Sequence, residues 1–381
     1  MKSVEILGSI MKQMMLALTL ILVAWVNKTN AYEGINISTH KIESKEADSI
    51  LEFKIALPWG YDKTKAYPVM YTTAGGSRFE YLVHQVDWLS HVAMGPMPQF
   101  IIVNVPQVTV PSDLHPKFVA ASGVANKLQF SVIEKELIPY INKSFKTQGF
   151  NLLEGYSSNG NFVLHTYLEK AELFDGYLVH SPALELDKSG LVEKFNKLNA
   201  NATNEFPSLY LSLGPFESNK PLFEKIKSKL EYSNKIVFAD LSDHNFLSVA
   251  TLSLNNSVEW TFSDLSPNVQ DFEIGGIESV NAYYSKLEKK YNKAMDSSST
   301  IIDLSFHYAN KKNNIKALET IDALISSAPE NVYYLTRKAS VQKLIGKVDG
   351  SKQTLMLAQE IATKNKNDDA LSYIKGELSK L

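Results

Sequence analysis

Between residues 49 and 262, short apolar runs alternate with amphipathic segments, and this alternation constrains the fold more than any other feature of the chain. Most of the apolar runs are bounded by Gly, Pro, Asn or Asp, as β-strands are, whereas the amphipathic segments have helical spacing. The pattern predicts strands at 51–57, 69–73, 100–105, 152–154, 176–180, 208–212 and 235–239, and helices at 130–144, 161–170 and 221–230. Alternating strands and helices predict an α/β fold with a doubly wound, mostly parallel sheet.

After about residue 267 the strand signals stop, and successive helices are predicted at 283–295, 300–309, 315–326, 332–344, 351–363 and 368–379. Ala317 and Thr354 hold similar places in two helical hairpins, 37 residues apart, which is close to the tetratricopeptide period. We therefore predict an α/β domain over 32–266 and a small all-α, tetratricopeptide-like region over 267–381. A plain helical bundle is the alternative. These helices would also offer a surface for self-association or for a protein partner.

The N-terminal segment has the layout of a signal peptide. Lys12 precedes an apolar run at 14–26 that only Thr19 interrupts, and a short polar stretch ends in Thr29-Asn30-Ala31. Small residues at positions −3 and −1 predict cleavage after Ala31, so residues 1–31 are interpreted as a signal peptide and the protein as periplasmic or secreted. The rest of the sequence has no second run of membrane-spanning length, so no stable membrane span is expected after cleavage.

Composition excludes several classes of chemistry. The chain has no cysteine, so disulfides, thiolate zinc sites and cysteine nucleophiles are impossible. Its 39 basic and 41 acidic residues are interleaved and give a net charge of −2, which disfavours a nucleic acid partner. Neither the H-E-x-x-H pattern nor a G-x-x-x-x-G-K-[ST] phosphate loop occurs, so no metal and no cofactor are expected.

The strongest chemical signal is the segment E-G-Y-S-S-N-G at 154–160, which lies between an apolar run and a helical segment. A serine flanked by small residues at a strand-to-helix junction is the layout of a nucleophile elbow. It predicts Ser157 as a nucleophile and the backbone N–H of Ser158 as an oxyanion donor. Asn159 stands where the G-x-S-x-G pattern has its second glycine. The alternative interpretation is a helix N-cap serine.

A serine nucleophile needs a base, which in this fold follows the serine and the acid along the chain. His244, in a polar loop after the strand predicted at 235–239, fits that order best. The other histidines precede the serine, lie too close behind it or belong to the helical tail: His40, His84, His91, His115, His165, His180 and His307.

The acid is predicted to be Glu217, because it follows the strand at 208–212. Asp240, Asp243 and a Ser–His dyad without an acid stay open as alternatives. A second oxyanion donor is expected in the loop after the strand at 69–73, where glycines allow the backbone to approach a substrate closely. Gly75 and Gly76 are the candidates, and a plain tight turn is the competing interpretation.

Several segments together resemble the Putative esterase family of α/β-hydrolases, which includes enterobactin-type siderophore esterases and relatives of esterase D. These are P-V-M-Y at 68–71 followed by A-G-G at 74–76, I-E-K-E-L-I-P-Y-I at 133–141, the elbow, F-D-G-Y at 174–177, Ser181-Pro182 and Asp243-His244. The resemblance covers residues 67 to about 291. It implies a hydrolase of small-molecule carboxylic esters, with Ser157 and His244 as nucleophile and base.

The same resemblance leaves the substrate open. Members often carry an Asp-Gly-Asp-like loop where this chain has Ala74-Gly75-Gly76, and they have glycine at the position of Asn159. Siderophore-type esters and small acyl esters are both compatible with it. Two other functions stay open: an acyltransferase that uses the same serine, and a non-catalytic binding protein on a degenerate hydrolase fold.

Overall fold

The computed structural model describes residues 35–92, 95–108, 123–197, 206–231 and 233–381, so the predicted signal peptide at 1–31 lies outside the described residues. Eight strands of the described chain form one sheet in the order β1-β2-β4-β3-β5-β6-β7-β8. The pairs β1–β2 and β2–β4 are antiparallel, and every pair from β4–β3 to β7–β8 is parallel. The predicted α/β-hydrolase fold with a mostly parallel sheet is confirmed.

The strands are β1 Asn36–Ser44, β2 Ser49–Leu57, β3 Tyr67–Thr72, β4 Ile101–Asn104, β5 Thr147–Tyr156, β6 Gly176–His180, β7 Ser208–Leu213 and β8 Ile236–Asp240. The seven predicted strands are all present. Strands β3 and β6 are buried at every residue, because helices cover both faces of a parallel sheet. The sequence did not predict β1, an edge strand that lacks a regular apolar alternation and is partly exposed along most of its length.

The helices of the sheet region are α1 Gly76–Ser90, α2 Gly123–Val132, α3 Ile138–Ser144, α4 Ser158–Glu169, α5 Leu191–Asn196, α6 Lys220–Leu230 and α7 Phe246–Thr261. A π-helical turn, Ile133–Leu137, joins α2 to α3. Helices α1 and α7 were not among the predicted elements. The sequence of α7 is rich in Ser, Thr and Asn, which have low helix propensity, so its buried face stabilises it instead.

The C-terminal helices are α8 Gly276–Tyr291, α9 Ser298–Asn310, α10 Asn314–Ser327, α11 Val332–Leu344, α12 Val348–Lys364 and α13 Asp368–Leu378. The predicted helical content of this region is confirmed, and the tetratricopeptide-like identity stays a prediction. No helix in the described ranges combines the length and the apolar character that crossing a membrane requires.

The first of these helices share a core with the sheet. The ring of Tyr291 in α8 lies 4.9 Å from that of Phe150 in β5 and 6.0 Å from that of Phe262. The same apolar cluster continues through Ile321 in α10 to Val341 in α11, and α11 to α13 also surround a second cluster. Packing is therefore continuous across residue 267, and the domain boundary predicted there stays a prediction.

Candidate active site

Ser157 occupies a sharp turn between β5 and α4. Its backbone has φ 58° and ψ −131°, a conformation that costs an L-residue on the order of 1–3 kcal/mol. Hydrogen bonds hold the turn on both sides: the N–H of Ser157 donates to His180 O at 3.0 Å, and its carbonyl accepts from Gly160 N at 2.8 Å. The side chain is partly exposed. Ser158 opens α4, so its N–H lies in the first turn, where amides have no partner within the helix.

Gly155, two residues before the serine, has no room for a side chain. A Cβ atom there would lie 2.5 Å from Val163 Cγ2, 2.7 Å from Asn159 O and 2.9 Å from Thr73 Oγ1. Helix α4 and the loop after β3 therefore approach the elbow as closely as the glycine permits. The G-x-S-x-G pattern, which has its first glycine at this position, agrees with this packing.

We expect Gly155→Ala to lower the free energy of unfolding by about 2 kcal/mol, because overpacking forces backbone shifts. The measurement is a urea denaturation midpoint with an unchanged slope. Gly376→Ala is the matched control, since the site of its Cβ is open and alanine in an exposed helix should be neutral or stabilising by up to about 1 kcal/mol. Equal midpoints for the two variants would contradict the crowding at Gly155.

Asn159 occupies the position of the second glycine in the elbow pattern, and its side chain makes a hydrogen bond that glycine could not make. Its Nδ2 donates to the carbonyl of Thr73 at 2.9 Å and so ties the elbow to the loop after β3. The close approach falls on Gly160 instead, where a Cβ would lie 3.3 Å from Pro182, two residues after the end of β6. The departure from the family pattern is thus compatible with an intact elbow.

The two candidate oxyanion donors lie where α1 begins. Gly75 is the N-cap residue of α1, and Gly76 is its first residue, with φ +54°, a conformation that favours glycine. Both are exposed, and a Cβ at either would meet no atom within 4 Å. Because β3 and β5 are parallel neighbours, this loop and the elbow lie at the same edge of the sheet.

His244 lies in the loop between β8 and α7. Its side chain is 44% exposed, and Nε2 of the ring lies 3.4 Å from Oδ1 of Asp243. The backbone N–H of His244 donates to Leu241 O at 3.1 Å. Asp243 is itself 82% exposed, so this pair is largely solvated. The histidine is therefore accessible from solvent.

Three aromatic residues link the loops that carry the predicted site residues. The ring of Tyr156 lies 4.9 Å from that of Phe246, and the ring of Phe246 lies 5.0 Å from that of Phe216. The Tyr156 hydroxyl also donates to the carbonyl of Phe246. We call these residues the aromatic triplet. Tyr156 directly precedes Ser157, Phe216 directly precedes Glu217, and Phe246 follows His244 by two positions. The sequence alone therefore shows an aromatic residue beside each of the three predicted site residues.

Glu217 is exposed and lies in a short 3₁₀ helix, Glu217–Asn219, directly after β7. Within the described residues, no hydrogen bond or ion pair joins it to His244. Asp240 accepts a hydrogen bond from the N–H of Ser242 at 3.0 Å, and its pKa lies below the usual range because of hydrogen bonds from Ser242. The acid that would orient His244 stays a prediction.

Two other histidines near the elbow are fully buried. Nδ1 of His180 lies 2.6 Å from Ser253 Oγ, and burial, aided by the charge of Arg78, holds the pKa of His180 well below its ordinary value. Nε2 of His165 lies 2.7 Å from Ser189 Oγ. Neither ring is accessible to a substrate, which agrees with His244 as the base.

Fold and elbow together define an α/β-hydrolase. The family model described as Putative esterase matches residues 44–255, more than half of the chain, so the chain belongs to this family. A comparison with curated protein sequences finds no match. The family and the fold make the protein a carboxylic ester hydrolase that acts on small-molecule esters.

Solved structures share the fold at low identity. An IroE-like serine hydrolase from Shewanella oneidensis is 19% identical, with a TM-score of 0.55, over 81% of this chain and 99% of its own. An uncharacterised protein from Capnocytophaga ochracea is 14% identical, with a TM-score of 0.62, over 90% and 100%. The BES protein from Bacillus cereus is 22% identical, with a TM-score of 0.50, over 59% and 94%.

Proposed function

We propose that the protein is an exported serine esterase in which Ser157 is the nucleophile and His244 the general base. The observation that carries the proposal is the backbone of Ser157, whose positive φ at a strand-to-helix turn lifts its hydroxyl above the sheet. Export rests on the signal peptide that the sequence predicts at 1–31. The aromatic triplet supports His244, because it joins the histidine loop to the elbow.

The chemistry would proceed by acyl transfer through the enzyme. His244 accepts the proton of Ser157 as Oγ attacks the ester carbonyl, and the resulting oxyanion is stabilised by the N–H of Ser158 and by that of Gly75 or Gly76. The tetrahedral intermediate collapses, the alcohol leaves with the proton from His244, and an acyl-enzyme remains. Water, deprotonated by His244, then releases the acid and regenerates Ser157.

Exposed apolar residues follow strands β6, β7 and β8, at the edge of the sheet that carries the predicted site, and favour an ester with an apolar or aromatic part. Phe216, Leu186 and Leu247 are all large exposed hydrophobic residues. Such residues are compatible with small acyl esters and with siderophore-type esters. Substrate panels that vary the acyl and alcohol parts separately would distinguish the two classes.

The proposal is tested with a fluorophosphonate that phosphonylates activated serines. We expect wild type to be labelled, with the adduct on the peptide that contains Ser157, and to hydrolyse short-chain p-nitrophenyl esters. Mass spectrometry of the exported protein should give Tyr32 as its first residue. Absence of both labelling and turnover would contradict the enzymatic proposal, and ester formation with an added alcohol that exceeds hydrolysis would favour an acyltransferase.

Glu217 is proposed as the residue that orients His244. Because its carboxylate is exposed, solvent weakens its interaction, and we expect Glu217→Gln to lower kcat by about 10-fold, less than a buried triad acid would give. The measurement is kcat beside Asp243→Asn and the double variant. Full activity of Glu217→Gln would exclude Glu217 as the acid and would leave Asp240, Asp243 or a Ser–His dyad without an acid.

A further inference from the structure

A buried carboxylate lies below the elbow, and the proposed chemistry does not use it. Glu154, three residues before Ser157 on β5, is fully buried. One carboxylate oxygen accepts a hydrogen bond from the Thr72 hydroxyl, and the other lies 2.8 Å from Nη2 of Arg78. Burying a charge costs free energy unless the charge is paired and hydrogen-bonded. The buried carboxylate of Glu154 is therefore a candidate for a functional role.

The two partners of Glu154 lie on either side of the loop that carries Gly75 and Gly76. Thr72 ends β3 just before the loop, and Arg78 lies in the first turn of α1 just after it. The side chain of Glu154 therefore contacts residues at both ends of the segment 73–77, which comprises the loop and the first two residues of α1. Its backbone carbonyl adds to the same contact, since it accepts from the N–H of Thr73 at 3.1 Å and from its hydroxyl at 3.2 Å.

The contacts continue into the loop itself. The Thr72 hydroxyl, which donates to Glu154, accepts from the N–H of Ala74 at 3.0 Å. Asn104 donates from its side chain to the carbonyl of Ala74. The backbone before Gly75 is thus fixed by hydrogen bonds that lead back to Glu154 and to the adjacent strand.

The charges around Glu154 identify Arg78 as its cationic partner. His180 Nε2 lies 3.7 Å from Glu154 Oε1, but burial and the charge of Arg78 hold the pKa of this histidine well below its ordinary value, which disfavours its cationic form. The side chain of Arg78 is 20% exposed, and its guanidinium carbon lies 5.7 Å from the centre of the Tyr156 ring. Arg78 therefore contacts the residue before the nucleophile as well as the carboxylate.

We propose that Glu154 and Arg78 are positioning residues that hold the two oxyanion donors in one rigid frame. Glu154 belongs to β5, which leads directly into Ser157 and Ser158, and Arg78 belongs to α1, which starts at Gly76 directly after its N-cap Gly75. Their ion pair fixes the separation of the N–H groups from the two elements. Such preorganised donors stabilise the transition state more than the bound substrate. The inference rests on the proposed function, because it concerns the oxyanion site of that reaction.

The test compares Glu154→Gln and Arg78→Lys with wild type and with Glu80→Gln. The last variant is the matched control, because it breaks an exposed ion pair of the same helix, Lys54–Glu80, 3.1 Å apart. Fluorophosphonate titration counts the active sites in each preparation. The measurements are kcat per titrated site, KM for a p-nitrophenyl ester, and the affinity of a boronic acid that forms a tetrahedral adduct with the serine.

We expect kcat per titrated site to fall about 10- to 100-fold in Glu154→Gln and less in Arg78→Lys, with KM within about twofold of wild type. Boronic acid affinity should fall in proportion to kcat/KM, and Glu80→Gln should match wild type. If Glu154→Gln does not fold, Thr72→Val, which removes the contact at the other end of the loop, is measured in the same way.

Two results would overturn the inference, and they differ from a failure of the proposed function. A lower titrated fraction or melting temperature with unchanged kcat per titrated site would show that the pair only stabilises the fold. Equal losses in Glu80→Gln would show that the effect is not specific to this pair. A wild type that is neither labelled nor active would instead remove the proposed esterase function, and the inference with it.

Discussion

Ser157→Ala is expected to lower ester turnover by about 10⁴-fold or more, because without the nucleophile only binding and oxyanion stabilisation remain. The alanine variant should also resist fluorophosphonate labelling. It should keep a melting temperature close to that of wild type, since the hydroxyl is partly exposed and the hydrogen bonds that hold the turn involve the backbone. The measurement is kcat/KM for a p-nitrophenyl ester, with thermal unfolding measured on the same samples.

The adjacent serine provides the matched control for this experiment. Ser158 is assigned a role through its backbone N–H alone, which alanine retains, so Ser158→Ala should keep activity within about threefold of wild type. Equal activity of Ser157→Ala and wild type would exclude Ser157 as the nucleophile. Loss in both variants together with unfolding would instead indicate that the turn itself had been disrupted.

The central sheet could be predicted because its strands are buried on both faces. Strands β3 and β6 are entirely buried, so they consist almost wholly of apolar residues that the sequence marks clearly. Edge strand β1 is partly exposed, carries little of that signal and was missed. Helix α1 was missed although Phe79, Leu82, Val83 and Val86 on its buried face have helical spacing.

The elbow was predictable because its geometry limits local sequence. Gly155 has no space for a side chain and Ser157 has a positive φ, so both requirements appear within a few residues. Contacts between segments that are distant in sequence produce no such local pattern. The bond from Asn159 to Thr73 joins residues 86 positions apart, and the ion pair of Arg78 with Glu154 joins residues 76 apart. Only the fold brings these pairs together.

The position of the acid is the part of the site that neither sequence order nor packing fixes. Chain order places Glu217 after β7, and the aromatic triplet brings its loop towards that of His244. An exposed glutamate has many rotamers of similar energy, so a local pattern cannot select one. Kinetic comparison of the carboxylate variants is therefore the decisive measurement for this residue.

His244→Ala is expected to lower kcat by about 10³- to 10⁴-fold, because Ser157 then loses its general base. Since the side chain of His244 is 44% exposed, its removal should leave a cavity that solvent can reach. Added imidazole should therefore enter and restore part of the activity, with a rate that rises with the concentration of its neutral form and hence with pH through its pKa. The measurement is the initial rate of ester hydrolysis at several imidazole concentrations.

The control is His84→Ala, which removes an exposed histidine of α1 and should change neither the rate nor its response to imidazole. Imidazole also hydrolyses activated esters directly. The rescue must therefore be measured against Ser157→Ala, where imidazole should give this direct hydrolysis and no additional rate. If imidazole restores activity to His244→Ala and to neither control variant, His244 is the base. Only an accessible cavity beside an intact nucleophile gives that result. Full activity of His244→Ala without imidazole would exclude the base assignment, and the buried positions of His165 and His180 leave neither ring accessible to replace it.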